Sequence, residues 1–447
     1  MSTTVVLIAL VLGLTALILC TVKFKVHPFF SLVIASLVFG IVSGMEFNTI
    51  LDSFTSGLGN TIAGIGIIIV IGTITGELLE KSGAAESMAQ TILKITGPKH
   101  AALGLALTGY FVSIPVFCDS AFVLLSPIAK RLSRDTKVSM TTMAVSLAMG
   151  LHATHMLVPP TPGPLAVSGI LNANLGTVIA LGALVSIPVT FVGYFIAVKV
   201  GKKHYFLPEE LEEILVENHR LPSPLMSFGP IVVPIILMIL QTIASMIGDG
   251  DGNTLIFIIN IIGQPIVALM IGLVLALITY LKVHPKDYQV WSFEGAFGDA
   301  MKTAGQIALI VGAGGAFGAI LQKSPLNEIL VNTFSGMNIG ILAPFLIGAI
   351  FRTAIGSGTV AMVTAATMLA QVLEPLGMTS PIGRVIAMLA CAAGGFMVFH
   401  GNDDFFWVVT STSGMDTETA YKTIPLGSIA QSFTALAIVF ALYVVLL

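Results

Sequence analysis

Charge is what this sequence has least of. Only 10% of its 447 residues are Asp, Glu, Lys or Arg, where a soluble domain carries roughly 25%. A chain this poor in charge, 55% hydrophobic and with a mean hydropathy of +0.98, excludes a soluble globular protein and reads as an all-α polytopic membrane protein. The net charge of −3 leaves no basic surface for nucleic acid. Cysteine is equally scarce: Cys20, Cys118 and Cys391 all fall inside apolar segments, so neither a disulfide framework nor a zinc spacing exists. The pair His152 and His155 in HATH suggests a metal at first sight, but no further ligand cluster accompanies it and no metal is expected. GAGGAFG at 312–318 follows no strand, so close helix packing explains it better than a nucleotide loop.

What is there is a series of apolar runs long enough to cross a bilayer. Spans are expected near 3–22, 28–45, 57–79, 139–170, 176–199, 228–248, 259–281, 302–322, 384–413 and 426–447, with a polar linker at 200–227. The first lacks a basic leader and a small-residue cleavage site and is expected to be retained. Two further stretches, 103–131 and 340–370, carry a polar or glycine-rich break in the middle and read as re-entrant hairpins. With both termini outside, this arrangement puts every basic residue except Lys323, Arg352 and Arg384 on the cytoplasmic side. Counting either hairpin as a single crossing scatters the basic loops over both faces.

Three segments recur in order at nearly equal offsets. IGIIIVIGTITGELLEKS, ending at Ser82, aligns with IALIVGAGGAFGAILQKS, ending at Ser324; GYFVSIPVFCDSAFVLL from Gly109 aligns with GAIFRTAIGSGTVAMVT from Gly348; THMLVPPTPGPLAVSGI from Thr154 aligns with FHGNDDFFWVVTSTSGM from Phe399. Each half, 1–199 and 228–447, holds five spans and one hairpin, so the second is expected to sit upside down relative to the first, a transporter arrangement.

Proline and glycine place the interruptions. VPPTPGP at 158–164 cannot be continuous helix, because Pro159, Pro160, Pro162 and Pro164 remove donors and Gly163 adds freedom. HGNDD at 400–404 is its polar counterpart, and hairpin tips are expected at VFCDS (116–120) and IGSGT (355–359). Irregular backbone at membrane depth survives only inside protein or beside a wet cavity. Four breaks are therefore expected to converge at mid-membrane, where half-helix N-termini offer free N–H groups and a positive dipole end to a carboxylate. Ser120, Thr161, Ser357, Gly358 and Thr359 supply donor-rich tips. Asp119, His155, His400, Asp403 and Asp404 are costly in lipid, roughly 2.5 to 3.5 kcal/mol per central charge, and are expected to carry coupling protons and to hydrogen-bond substrate hydroxyls. The competing reading for Asp403 and Asp404 is capping of the second half-helix, and for the histidines a neutral ring satisfied by a carbonyl. Arg352, the one arginine deep in an apolar segment, is either a bidentate clamp on a substrate carboxylate or the partner of an acid such as Asp119 or Glu77.

At THMLVPPTPGP (154–164), RTAIGSGTVA (352–361), HGNDDFFW (400–407) and KVHPFFSLVIASLVFGIVSGM (25–45), the sequence resembles the gluconate:proton symporter family of bacterial inner-membrane permeases, within the ion-transporter superfamily of elevator carriers. The likeness runs nearly end to end. It implies a scaffold (1–56, 171–199, 228–301, 416–447), a moving transport domain (57–170, 302–415), a homodimer in the inner membrane, proton-coupled uptake of a sugar acid, and no cofactor beyond the proton. It also implies that an acid at Asp119, the pair Thr154-His155 and the pair Asn402-Asp403 belong to the site. The sequence departs from the family's commoner pattern at Thr161, where a histidine often follows the proline pair, and at Asp404, where a proline often follows Asn-Asp. A sodium-coupled carboxylate carrier of the same architecture is the alternative, since unwound carbonyls and the Ser-Gly-Thr tip suit an ion equally. An intramembrane enzyme is not expected, because there is no HExxH and Ser357 lacks a base in its own half; paired hairpins argue for occlusion over an open channel.

Overall fold

The computed structural model of the protein describes residues 3–208, 220–247, 253–324, 326, 340–401 and 403–447, and every regular element among them is a helix. The first half contains α1 (Thr3–Ile18), extended by a π-turn at Leu19–Lys23, then α2 (Pro28–Val42), α3 (Phe47–Lys81), α4 (Ala84–Thr96), α5 (Ala101–Val112), α6 (Cys118–Thr136), α7 (Met140–Leu157), α8 (Pro162–Ile170) and α9 (Leu175–Lys203). The second contains α10 (Pro224–Ile247), α11 (Thr254–Ile262), α12 (Pro265–Val283), α13 (Ala296–Lys323), α14 (Leu342–Ile355), α15 (Gly358–Ala370), α16 (Pro381–Gly395), α17 (Asp404–Ser413) and α18 (Thr417–Leu446). Seven of these are long and apolar enough to cross a bilayer: α1, α3, α9, α10, α12, α13 and α18. The remaining expected spans are α2, of 15 residues, and the interrupted segments α7–α8 and α16–α17, whose second pieces of nine and ten residues do not cross alone.

Two helices were not legible as elements. Amphipathic α4 lies in what the hydropathy leaves as a loop, and α11 splits off from the expected span at 259–281 because Gly263 and Gln264 end it before Pro265 opens α12. The linker at 200–227 is shorter than expected at both ends, and its residues 209–219 lie outside the description. Its start folds back on α7: Met140 N–H donates to the Phe206 carbonyl at 2.9 Å.

Three of the four breaks have a covalent cause. Between α5 and α6, residues 113–117 contain Pro115; between α14 and α15, Gly356 takes φ 85°, a region that favours glycine. The joint between α7 and α8 is 158–161 and not the whole of VPPTPGP, since Pro162 and Pro164 sit in the first turn of α8, where a missing N–H breaks no helical bond. The joint between α16 and α17 is longer than HGNDD, running over 396–403.

Small residues bring the helices together. α3 and α13 run antiparallel: Gly57 lies against Ala316 and Ala319, Gly312 against Ile62, and at the far end Lys81 Nζ meets Asp299 at 2.7 Å. GAGGAFG is thus a packing surface within α13. In the first half α5 and α7 touch where a Cβ on Gly150 would collide with the Ala106 carbonyl. In the second, α14 and α16 touch where a Cβ on Gly394 would collide with the Phe345 carbonyl. In both halves the first arm of the hairpin is therefore locked to the first piece of the broken helix.

Candidate functional site

The breaks meet around one buried ion pair. Arg352, in the last turn of α14, pairs through Nη2 with Oδ2 of Asp403; their side chains are 2% and 9% exposed. The same guanidinium donates from Nη1 to the Gly356 carbonyl at the hairpin tip, and its Nε is buried with no partner among the described residues. Asp403 caps α17: its Oδ1 accepts from Phe405 N–H at 2.8 Å. The sequence allowed capping by either Asp403 or Asp404; it is Asp403 that does both jobs, cap and counter-ion, while Asp404 is exposed. The partner of Arg352 is thus neither Asp119 nor Glu77.

An aromatic platform holds this pair in place. Phe399 lies under the guanidinium, 5.7 Å from Cζ to the ring centre. The Phe399 ring stacks on Phe405 at 5.4 Å and on His152 of α7 at 4.9 Å, and Phe396 meets His152 edge-on at 5.1 Å. Phe122 of α6 meets Phe405 at 6.0 Å, which ties the first hairpin to the start of α17. Met362 of α15 presses on Gly163 at the start of α8, and Met156 of α7 on Gly358 at the start of α15. The N-terminal ends of α6, α8, α15 and α17 are therefore gathered into one region.

Within that region two buried polar atoms have no partner among the described residues: Oδ1 of Asp119 and Nδ1 of His155. Buried polar groups are nearly always satisfied, so a cluster of orphans marks where a water, an ion or a ligand belongs. Asp119 is in the first turn of α6, close enough to Asp403 and Asp404 to feel both charges; His155 is in the last turn of α7, within the field of Arg352. Thr154 and Thr161 spend their hydroxyl protons on backbone, at Tyr110 (2.9 Å) and Val158 (2.6 Å), and keep only acceptor capacity. Ser120, Ser357 and Thr359 are half-buried, and Ser357 sits at the N-cap of α15 without bonding it. His400 is half-buried, its carbonyl accepting from Asp403 N–H at 2.9 Å; Asn402 lies outside the described residues. The joint at Pro160–Pro162 faces the tip at Pro115–Phe117 across a narrow gap walled by Ile69, Gly72 and Thr73 of α3.

The platform of Phe399 and His152 and the Gly356 carbonyl were not picked out as site features from the sequence. The signal was present in the aromatic run around NDD, but aromatic residues in apolar helices are ordinarily core.

Comparison with known proteins agrees with this reading at several levels. A family model described as GntP family permease matches residues 5–445. An uncharacterized permease of Haemophilus influenzae is 35% identical over 92% of this chain and 86% of its own. The gluconate permease of Pseudomonas aeruginosa is 32% identical over 92% and 91% of the two chains, and the D-serine transporter DsdX of Escherichia coli K12 is 32% identical over 97% of each. Among solved structures, that of the Alcanivorax borkumensis YdaH transporter superposes with a TM-score of 0.60 at 13% identity, covering 90% of each chain, which speaks to fold alone. With a match along almost its whole length, the chain belongs to the GntP family of permeases, multi-pass membrane transporters and not enzymes.

Proposed function

We propose that the protein is a secondary active importer of a sugar acid such as gluconate, or of a related short hydroxycarboxylate, driven by proton symport across the inner membrane. The observation that carries this reading is the buried Arg352–Asp403 pair beside the unpartnered Asp119 Oδ1 and His155 Nδ1. Its electrostatics supply the coupling. As the pair stands, its net charge is zero; an anionic substrate adds one negative charge to a low-dielectric region that already holds the carboxylates of Asp119 and Asp403. A proton delivered to Asp403 restores the balance and frees the guanidinium for the substrate carboxylate. Substrate and proton each lower the cost of binding the other, which is symport in thermodynamic form. The gathered N-termini of α6, α8, α15 and α17 favour the same anion, while Ser120, Thr154, Thr161, Gly163, Ser357, Gly358, Thr359, His155, His400 and Asn402 are assigned to substrate contact, and Asp119, Asp403, Asp404 and His155 to proton handling.

The two halves are read as inverted repeats. What supports this is that α3 and α13, which carry the first aligned segment, run antiparallel, and that the same hairpin-to-broken-helix lock recurs at Gly150 and Gly394. On this reading the hairpins and broken helices move together as a transport domain against a scaffold, within a homodimer. D-serine, named for one relative, shares with gluconate a carboxylate and a neighbouring polar substituent.

The test is uptake into proteoliposomes of labelled gluconate, idonate, glycerate and D-serine under separately imposed proton and sodium gradients. Accumulation driven by the proton gradient is expected. Accumulation driven by sodium alone, with none from protons, would refute proton coupling; uptake of none of these acids would refute the substrate class.

A further inference from the structure

A second polar chamber lies apart from the ion pair, at the other end of α8 and α15. It has a volume of about 770 Å³ and is open to one face, between the antiparallel pair α3/α13 and the C-terminal ends of α8 and α15. That volume falls within the roughly 300–1,000 Å³ of small-molecule sites. The amides of Asn60, Asn172 and Gln322 line it, all on exposed residues and without hydrogen-bond partners among the described residues. The one cation in its lining among the described residues is Arg384, which donates from Nε to the Thr379 carbonyl at 2.9 Å and from Nη1 to the Leu171 carbonyl, at the end of α8, at 2.7 Å. Glu374 adds an exposed carboxylate. Ile65, Ile68 and Leu165 form the inner wall, and one turn further along α3, Ile69 and Thr73 face the joint at Thr161.

The chemistry of this lining is selective. Charge in the lining is balanced, Arg384 against Glu374 and the C-terminal ends of α8 and α15 against the N-terminal turns of α9 and α16, so neither sign of ligand is favoured outright and the amides set the preference. Amides with free donors and acceptors suit hydroxyl groups. We propose that this chamber is an outer binding station for the polyhydroxylated chain of the substrate, holding it with the carboxylate turned inward. The half-helices α8 and α15 give the orientation, because each presents its negative end to the chamber and its positive end to the ion pair. The ends of α8 are about 13 Å apart at 1.5 Å per residue, so the chamber and the ion-pair region act as successive stations. The identity of the ligand rests on the function proposed above; the preference of the chamber for hydroxyl groups does not.

The test places a reporter at the rim. Gly64→Cys, which lines the chamber and leaves its amides in place, is introduced with Cys20→Ser, leaving Cys118 and Cys391 buried, and maleimide labelling of the purified full-length protein is timed. Gluconate and the neutral hexitol sorbitol, each at ~10 times its dissociation constant, are expected to slow labelling about tenfold, since only unliganded protein reacts. Glycerate at the same concentrations is expected to leave the rate unchanged. The protection by sorbitol should persist in Arg352→Gln, which disables the inner site. Equal protection by glycerate, no protection by sorbitol, or loss of protection in a folded Arg352→Gln protein would each overturn the outer station. Protection by sorbitol in a protein that transports no sugar acid would instead uphold the station and refute the substrate assignment.

Discussion

Replacing Asp403 by asparagine separates the two jobs of this residue. Asparagine caps a helix about as well as aspartate, so the start of α17 keeps its bond to Phe405, but Arg352 loses its counter-ion while remaining 2% exposed. Breaking a buried pair by removing one partner costs about 3 to 5 kcal/mol, against a total stability on the order of 5 to 15 kcal/mol; the variant should melt earlier yet still fold. The missing negative charge is then supplied by the substrate. In the wild type, substrate affinity should rise as pH falls, about tenfold per pH unit for one linked proton, until Asp403 is fully protonated. In Asp403→Asn the carboxamide mimics the protonated acid, so affinity at neutral pH should be higher than wild type and the slope of log Kd against pH should fall by one. Substrate at 100 times Kd should restore about 2.7 kcal/mol of stability. Binding is followed by calorimetry and thermal shift from acid to neutral pH, and transport by counterflow and net uptake. Exchange should survive while proton-driven accumulation disappears. An unchanged pH slope in the variant, or accumulation that persists, would refute the proposal that Asp403 carries the coupling proton.

Further outcomes follow from the same geometry. Arg352→Lys keeps the charge but loses the planar fork that reaches Asp403 and Gly356 together; the half-saturation concentration for uptake should rise at least about tenfold, one lost charged hydrogen bond being worth roughly 1.5 to 3 kcal/mol, with membrane insertion unchanged on a blot of isolated membranes. Asp119→Asn should abolish accumulation against a gradient, measured as the steady-state internal substrate concentration. Asp404→Asn, on an exposed residue, should reduce uptake less than Asp403→Asn in the same assay. Gly394→Val places a branched side chain where even a Cβ meets the Phe345 carbonyl; overpacking costs typically 1 to 3 kcal/mol, so the melting temperature in detergent should drop while a parallel Gly64→Val, in open space on α3, should not share the loss.

Three of the four interruptions were legible because their causes are covalent. Pro159, Pro160 and Pro162 cannot be accommodated in a continuous helix, and Gly356 adopts a φ that side chains avoid. Their convergence was legible only as a requirement, since exposed backbone in lipid has no other remedy. Which acid meets Arg352 was not legible. Asp119, Glu77 and Asp403 all lie far from residue 352 in the chain, and the choice is made by the stack of His152, Phe399 and Phe405, which fixes the height of the joint at 396–403 relative to α14. Helix α4 was missed for a different reason: its hydrophobic residues occupy one face only, so its mean hydropathy is that of a loop although its period is helical.

The pairing found and the pairings expected differ in consequence. Had Arg352 met Glu77 of α3, the charge would have tied a hairpin to a continuous helix, and neutralising it would have loosened an interface without releasing a broken-helix joint. Pairing with Asp403 joins the tip of one break to the joint of another. In the proposed mechanism the guanidinium, the cap of α17 and the N-terminal N–H groups of α15 all respond to a single protonation event. A proton on Asp403 weakens the link to Arg352 while the Phe405 bond to Oδ1 can remain, so the arginine is released without unwinding the helix it faces. The proposed coupling depends on one carboxylate having two oxygens in two environments, one on Arg352 and one on the cap of α17.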